Sequence, residues 1–455
     1  MRTQDRQDQL GNPVTVEDDA TLGAIDDFVG GFLAYETRAV AVLAAADAHP
    51  DACLANAYAG MIWMFDESPR GPVQAQAYLE RARRAAGRAT PREALAVELL
   101  GLWVGGESPA AEALAFDIVQ QFPRDLVVVK LAQYLAFNRG DFPAMLRIIL
   151  KAAPHVADVA YAHGMAAFAY EQCHLLGEAE AAARRALELK AREPWAQHAL
   201  AHVMLTQGRI AEGARFLEAA STGWTDLNSF MLTHNWWHLA LFYLSQGRDA
   251  EALRLWDERV WGVSKDYSQD QIGAVSLLTR LELAGVDVGG RWQALAPYLA
   301  ARAQETIEPF LTLQYLYGLC RAGRAERETL AAAVRARAET APAFIRETWR
   351  DVAVPAAEGL LAHADGDFAT AARRLGGALP RMAEIGGSHA QRDLFALIHE
   401  DAVRRSGSLV HAQQLLELRR AAIPGDAPAN RALAEVYAAL DLPDQAGQAA
   451  ARAGL

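Results

Sequence analysis

Two pairs of histidines, each four residues apart, are the residues of this chain best suited to chemistry. His198 and His202 stand in WAQHALAHVMLTQGR, and His234 and His238 stand in HNWWHLALFYLSQGR. On a helix, residues four apart lie on neighbouring turns of one face, so each pair can converge on one object. Imidazole can ligate a metal, transfer a proton near neutral pH, or simply hydrogen-bond within a packed interior.

The pattern leaves these three roles open. A metal such as Zn²⁺ or Fe²⁺ would take His198, His202 and His234 as ligands and keep one position free. Neither pair carries the glutamate of HExxH, so the metalloprotease pattern is absent. Acid–base chemistry would use one of these histidines, with Glu171 setting its tautomer. A divalent metal is therefore an option that the sequence does not favour, and whether the chain is an enzyme stays open.

The elements that carry these residues are helices arranged as a repeat. Alanine and leucine dominate the 455 residues, while β-branched residues are sparse, which favours helices over strands. A helix ending at a glycine and followed by an Ala-rich second helix recurs along the chain. The first four marking glycines are spaced by 37, 31 and 39 residues, around the roughly 34-residue period of tetratricopeptide repeats. The marking glycines are Gly140, Gly177, Gly208, Gly247, Gly323 and Gly366.

This repetition predicts an all-α fold. We expect a tetratricopeptide-like α-solenoid of antiparallel helix pairs, forming a curved superhelix with a concave central groove. Residues 1–24 are polar and acidic and are predicted to be a flexible N-terminal arm. No linker separates the rest, so residues 25–455 are predicted to be a single superhelical domain. Thr90 and Pro91 are predicted to be the N-cap and the first residue of a helix.

The position of each glycine in its repeat predicts which residues face the groove. Repeats aligned on Gly208 and Gly247 place both histidine pairs near the inner wall, with His238 beside that wall rather than on it. An alignment on Gly177 adds Glu171 and His174 to the wall. The residues predicted on the inner wall are Glu171, His174, Trp195, His198, His202, Leu205, His234, Trp237 and Leu241.

A second polar group stands in GSHAQRDLF. Ser388 is predicted to be an N-cap with Gln391 as its capping-box partner, after the flexible Gly386–Gly387 pair. That explanation does not require His389, Arg392 and Asp393 together. Arg392 can bind a carboxylate or phosphate through two hydrogen bonds, with Asp393 orienting it. An ion pair between successive repeats is the alternative explanation.

Six segments spread over nearly the whole chain are similar to one known family. They are ATPRE at 89–93, PRDLVVVKLAQ at 123–133, HALAHVMLTQGR, HNWWHLALFYLSQGR, SLLTRLELAGVDVGGRW at 276–292 and IGGSHAQRDLF at 385–395. On these segments the chain resembles the tetratricopeptide repeat protein 38 family, in its bacterial branch. Thr279 stands where the family usually has Trp, and Gln314 where it has His. The resemblance implies an α-solenoid and gives little indication of mechanism.

Charge and composition limit the partners. The net charge of −12 and the lack of a basic stripe argue against nucleic acid. No run of 18 apolar residues and no signal-peptide core is present, so we expect no membrane partner. The three cysteines are far apart, which favours a reducing, cytoplasmic location. A homodimer is compatible with the sequence, although no segment identifies an interface.

Aromatic residues near the histidines give the leading functional interpretation. Aromatic walls around imidazoles suit a small molecule or a peptide. We therefore predict binding of such a ligand in the His-lined groove. The alternative is an enzyme acting on a small molecule there by His acid–base or metal-assisted chemistry. The candidate catalytic residues are Glu171, His198, His202 and His234. The candidate ligand-binding residues are Trp195, Trp237, His238, His389, Arg392 and Asp393.

Overall fold

Helices joined by short turns make up nearly all of the chain in the computed structural model, which describes residues 6–454. The predicted all-α, solenoid-like arrangement of helix pairs is confirmed. The described chain divides into two compact units. The first contains 6–200 and 223–231, and the second contains 201–222 and 232–454. The single superhelical domain predicted over 25–455 stays a prediction.

The first unit begins with a short hairpin and continues as consecutive helices. Short 3₁₀ turns at Thr37–Val40, Ala86–Arg88 and Ala153–His155 extend or join them. Its elements are β1 (Arg6–Gln7), β2 (Pro13–Val14), α1 (Asp19–Ala34), α2 (Ala41–Ala48), α3 (Cys53–Met64), α4 (Arg70–Ala85), α5 (Pro91–Val104), α6 (Ser108–Gln121), α7 (Leu126–Phe137), α8 (Phe142–Ala152), α9 (Ala160–Gln172) and α10 (Leu176–Leu189).

Helix α11 (Pro194–Thr206) and helix α13 (Ser229–Ser245) each begin in the first unit and end in the second. Helix α12 (Ile210–Ala220) belongs to the second unit, and a 3₁₀ turn, Ser221–Gly223, follows it. The second unit contains π-helical turns at Trp256–Val260 and Trp349–Ala353 and a 3₁₀ segment at Leu379–Ile385. Its remaining helices are α14 (Asp249–Leu255), α15 (Ser268–Leu283), α16 (Arg291–Ala300), α17 (Pro309–Arg321), α18 (Glu326–Thr340), α19 (Ala343–Thr348), α20 (Val354–Ala364), α21 (Phe368–Ala378), α22 (His389–Arg405), α23 (Leu409–Ala422), α24 (Ala427–Ala439) and α25 (Pro443–Arg452).

Most of the predicted turn glycines mark the ends of first helices. Gly208 and Gly247 have φ values of +69° and +71°, a left-handed conformation that side chains with a Cβ rarely adopt. Gly177 differs, because it lies inside α10 and His174 occupies the left-handed position, with φ +58°. The predicted alignment of that repeat is therefore wrong by three residues. His174 is an exposed turn residue, not an inner-wall residue.

The described part of the N-terminal arm is held by a buried ion group in the first unit. Arg92 is 0% exposed, and its guanidinium lies 2.9 Å from Asp125 and 3.5 Å from Asp8 of the β1–β2 hairpin. Arg92 also donates a 3.0 Å hydrogen bond to the carbonyl of Pro13. Within 6–24, these contacts and the start of α1 at Asp19 give the segment defined structure. Its predicted flexibility stays a prediction.

Two helix N-termini that the sequence predicts are capped by side chains in the structure. Thr90 accepts a hydrogen bond from the Glu93 N–H and the Glu93 carboxylate accepts one from the Thr90 N–H, so the predicted cap is confirmed. Ser388 and Gln391 form the same reciprocal pair at the start of α22, which confirms that prediction.

Close packing of α12 on α13 supports the helix that carries two of the histidines. Gly213 of α12 lies against the ring of Phe242 on α13, and Phe242 is fully buried. A Cβ at position 213 would overlap that ring. The two helices can pack this closely because glycine has no side chain.

We expect Gly213→Ala to destabilise the protein by about 1–3 kcal/mol, because overpacking outweighs the better helix propensity of alanine. The matched control is Gly273→Ala in α15, where a Cβ would meet nothing within 4 Å. That control should gain about 0.5–1 kcal/mol. Urea unfolding followed by circular dichroism measures both, and equal stability of Gly213→Ala and wild type would contradict the packing argument.

Candidate functional site

Three histidines of the second unit form one buried cluster. A ring nitrogen of each of His202, His234 and His238 lies within 4.8 Å of a ring nitrogen of the other two. The His238 ring centroid is 4.5 Å from that of His202 and 4.7 Å from that of His234. His202 and His238 are fully buried and His234 is 8% exposed. His238 therefore contacts both other rings, whereas the repeat alignment predicted it beside the inner wall.

Burial also decides the charge state of one member. Desolvation, together with the smaller effect of the neighbouring His202, lowers the pKa of His234 to about 3. His234 is consequently neutral at physiological pH. A neutral imidazole keeps a lone pair on one nitrogen, which is the form that ligates a metal or accepts a hydrogen bond.

Trp237 and Arg280 extend this cluster. The Trp237 ring lies parallel to that of His234, with centroids 5.2 Å apart and an interplanar angle of 10°. The Arg280 guanidinium lies 5.4 Å from the Trp237 centroid, within cation–π range. Trp237 is 1% exposed, so it is an interior residue of the second unit.

A cavity of about 580 Å³ opens beside the cluster, within the second unit. Its walls come from α11, α13, α15 and α22 to α24, and they are largely leucine and alanine. Of the residues predicted for the site, His389 and Asp393 line this cavity. The His389 ring is 5.4 Å from that of His202, so the cavity wall reaches the histidine cluster through these two rings.

Arg280 is one of several polar cavity-lining residues that the sequence analysis did not predict. It is 6% exposed, and burial lowers its pKa to about 10, so it remains charged at neutral pH. It donates to the Ser276 hydroxyl at 2.6 Å and to the Ala390 carbonyl at 2.8 Å. Within residues 6–454, no carboxylate lies within 4.0 Å of its guanidinium. The available signal was an arginine within the apolar run SLLTRLEL, which predicts a buried charge that needs a partner.

The other two arginines of the cavity are ion-paired. Arg404 lies 2.8 Å from Asp401. Arg419 lies 3.1 Å from Asp426 and 3.7 Å from Glu400. Arg280 differs, because its electrostatic counterpart on the wall, Asp393, favours its charged form without lying within 4.0 Å of the guanidinium.

A smaller cavity of about 240 Å³ shares Asp401 and Arg404 with the first. His363 connects Asp401, at 2.9 Å from one ring nitrogen, with the hydroxyl of Tyr317, at 3.0 Å from the other. Burial raises the pKa of Asp401, but the hydrogen bonds from His363 and Arg404 outweigh it and leave that pKa below its ordinary value. Burial raises the pKa of Tyr317, so its hydroxyl stays protonated. The hydrogen bonds among Tyr317, His363 and Asp401 explain why these polar side chains are buried together.

The polar residues of the GSHAQRD segment lie in different places: His389 and Asp393 line the cavity, and Arg392 does not. Arg392 donates to the carbonyl of Gly387, five residues earlier, and is not among the residues that line the cavity. Asp393 is exposed at the cavity wall. That Arg392 binds an anion stays a prediction. The arginine of α15 that lines the cavity is Arg280.

The remaining predicted residues lie in the first unit. Trp195 stacks on His198 with centroids 4.4 Å apart, and Phe168 lies 4.6 Å from Trp195. Glu171 is fully buried and accepts a 2.7 Å hydrogen bond from the side chain of Gln172. Their predicted roles in catalysis or ligand binding stay predictions, as does the metal set of His198, His202 and His234.

A buried pair of opposite charges in the first unit also escaped the sequence reasoning. Lys130 lies 3.3 Å from the ring centroid of Tyr35, and burial lowers its pKa well below the ordinary value. Burial raises the pKa of Glu193 to about 7, against the opposing effects of the Ala196 N–H and of Lys130. Glu193 immediately precedes Pro194, the first residue of α11, so the pair lies beside the Trp195 aromatic group.

Comparison with known proteins gives only distant structural likenesses. No family model matches the chain. The human IFIT1 dimer with PPP-AAAA is 13% identical, with 99% of this chain and 98% of that chain covered and a TM-score of 0.39. Yeast Tom70 is 12% identical, covering 80% and 91%, with a TM-score of 0.32. The P58(IPK) TPR domain is 12% identical, covering 80% and 92%, with a TM-score of 0.22. The assignment of an all-α, solenoid-like fold rests on the helix pairs of the described residues themselves.

One of these likenesses corrects a prediction about partners. The solved human IFIT1 structure contains PPP-AAAA, an oligonucleotide, on a solenoid to which this chain is similar. The sequence-based exclusion of nucleic acid is contradicted by this finding. A ligand groove is compatible with this fold type, and the likeness does not identify the ligand.

Within residues 6–454, no helix has the length and apolar content needed to cross a bilayer. The predicted cytoplasmic location stays a prediction.

The buried carboxyl of Glu400 gives the cavity a measurable pH dependence. Burial raises its pKa to about 7; Arg419 opposes the shift and Asp393 adds to it. Between about pH 4.3 and pH 7 the folded protein binds more protons at this group than the unfolded chain, so stability falls as pH rises.

We expect Glu400→Gln to remove this loss, which is on the order of 1–3 kcal/mol between about pH 5 and pH 8. Urea unfolding across that range measures it. The control is Glu98→Gln, which changes an exposed glutamate on α5. Identical pH slopes for wild type and Glu400→Gln would contradict the assignment.

Proposed function

We propose that the chain binds a small organic anion in the 580 Å³ cavity of its second unit, with the acidic group of the ligand on Arg280. The observation that carries this proposal is the buried Arg280 guanidinium, which lines the cavity and has no carboxylate within 4.0 Å in the described part of the chain. Asp393 on the cavity wall favours the charged form of Arg280, but within residues 6–454 no carboxylate forms a close ion pair with it. A buried charge without a close ion-pair partner is costly, and an arriving carboxylate or phosphate would offset that cost. The guanidinium also offers paired donors that fit either group.

The shape and the walls of the cavity support an amphipathic ligand. Its volume lies in the range of small-molecule sites, roughly 300–1,000 Å³. Apolar side chains form most of the wall, including Leu205, Leu241 and Leu283. Because Arg404 and Arg419 are already ion-paired, a single acidic group is the best match. A monoanion with an apolar body of several carbons would match both the apolar wall and the guanidinium of Arg280.

A second candidate is an enzyme that acts on such a ligand. The observation that favours it is His389, which lines the same cavity and lies 5.4 Å from His202. An imidazole at the wall can transfer a proton to or from a bound ester or amide. Hydrolysis of p-nitrophenyl octanoate by wild type, and its loss in His389→Gln, would support this candidate. Wild-type turnover equal to the uncatalysed rate would remove it for this ester class.

Membership of the tetratricopeptide repeat protein 38 family is also our proposal. It rests on the HNWWH and GSHAQRD segments, which contribute His234, His238 and His389 to the second unit. The coarse assignment to tetratricopeptide-like proteins does not depend on it.

The test of anion binding is calorimetric titration of the full chain with octanoate, octyl phosphate and octanol. We expect both anions to bind wild type more tightly than octanol. Arg280→Met should weaken octanoate by about 10- to 150-fold, since a hydrogen-bonded buried charge contributes about 1.5–3 kcal/mol. Octanol binding should change little in the same variant.

Arg392→Met is the matched comparison, because Arg392 is the anion-binding residue that the sequence predicts. Loss of octanoate binding in Arg392→Met with retention in Arg280→Met would overturn the proposal. Should Arg280→Met fail to fold, the wild-type comparison of octanoate with octanol still decides, because equal affinities would exclude a bound acidic group.

A further inference from the structure

The histidine cluster of the second unit has ligand atoms close enough for one metal ion. His202 comes from α11, and His234 and His238 come from successive turns of α13. One nitrogen from each lies within 4.8 Å of the others. In a tetrahedral zinc site with Zn–N bonds of about 2.0–2.1 Å, ligand nitrogens lie about 3.4 Å apart. Small rotations of three side chains would bring these nitrogens to that spacing.

The chemistry of the three ligands is selective. Imidazole nitrogens suit zinc and its neighbours among the transition metals, whereas calcium and magnesium take oxygen ligands. Three protein ligands and one open position are the usual arrangement of a zinc ion that also meets a water or a small molecule. The cluster supplies three such ligands without any cysteine or carboxylate.

Neighbouring side chains hold the rings in place. Trp237 stacks in parallel on His234, and Arg280 covers Trp237 at 5.4 Å. The His202 ring also lies 5.4 Å from that of His389, at 26°, on the side of the cavity wall. Fixed ring orientation limits the reorganisation needed for binding, which raises the affinity of a metal site.

We propose that His202, His234 and His238 bind one divalent transition-metal ion, with zinc the best match. This site differs from the set that the sequence predicts, since His238 is a ligand from the same unit as His202 and His234. The open coordination position would hold water or a donor atom of a small molecule. The inference goes beyond anion binding at Arg280 and does not depend on it.

Metal analysis of the full chain, produced without a histidine tag, tests the site. After dialysis against a weak chelator we expect stoichiometric zinc by mass spectrometry. The metal-free protein should develop visible d–d absorption with Co²⁺, and Zn²⁺ should abolish that absorption. His238→Gln and His202→Gln should each lower Co²⁺ affinity by more than about 100-fold, since even indirect ligand support contributes 10- to 100-fold.

His363→Gln is the control, because His363 is a buried histidine of the same unit outside the cluster. It should retain zinc. Equal Co²⁺ affinity of His238→Gln and His363→Gln would overturn the proposal. So would a wild-type protein that retains no zinc and gives no Co²⁺ absorption, a result that needs no variant to fold. Since the readout is metal, failure here leaves the octanoate result unchanged.

Discussion

A helix pair of this chain cannot bury its apolar surface alone, and that constraint shapes both units. Each pair must be covered by a neighbour, so the interior is a series of helix–helix contacts and not one central core. Alanine and glycine allow close approach, as Gly213 does against Phe242. Polar side chains placed on these contact faces become buried together with the leucines. The histidine cluster and Arg280 are buried for this reason, and their chemistry follows from their burial.

Burial has opposite consequences for the charged groups of the second unit. Arg404 and Arg419 have carboxylates beside them, so they contribute to the packing of α22, α23 and α24. Arg280 instead contacts a hydroxyl, a carbonyl and an indole ring. These three partners carry no negative charge, and the nearby Asp393 favours the charged guanidinium without forming an ion pair within 4.0 Å. All three arginines line one cavity, but only Arg404 and Arg419 of these three have a carboxylate within 4.0 Å, and this difference is the basis of the proposed role of Arg280.

Local patterns made much of the fold predictable, and contacts between distant segments limited the rest. The capping boxes at Thr90 and Ser388 follow from residues three apart, which any reader of the sequence can find. The alignment on Gly177 failed because His174 adopts the left-handed conformation usually taken by glycine, and no local signal marks it. Arg280 escaped notice because its hydrogen bond to Ala390 joins residues 110 positions apart. The histidine pairs were found from spacing, whereas the contact of His238 with His202 depends on how α11 and α13 pack.

The isolation of Arg280 from water has a consequence for selectivity. An anion reaches this guanidinium only after it loses its hydration shell, since the residue is 6% exposed and the walls are mostly apolar. Small, strongly hydrated ions such as sulfate lose the most on dehydration, whereas a carboxylate on an alkyl chain also gains from burial of that chain. A cavity that binds anions in the proposed way would rank them by the free energy of their dehydration, and that ranking would differ from a ranking by charge.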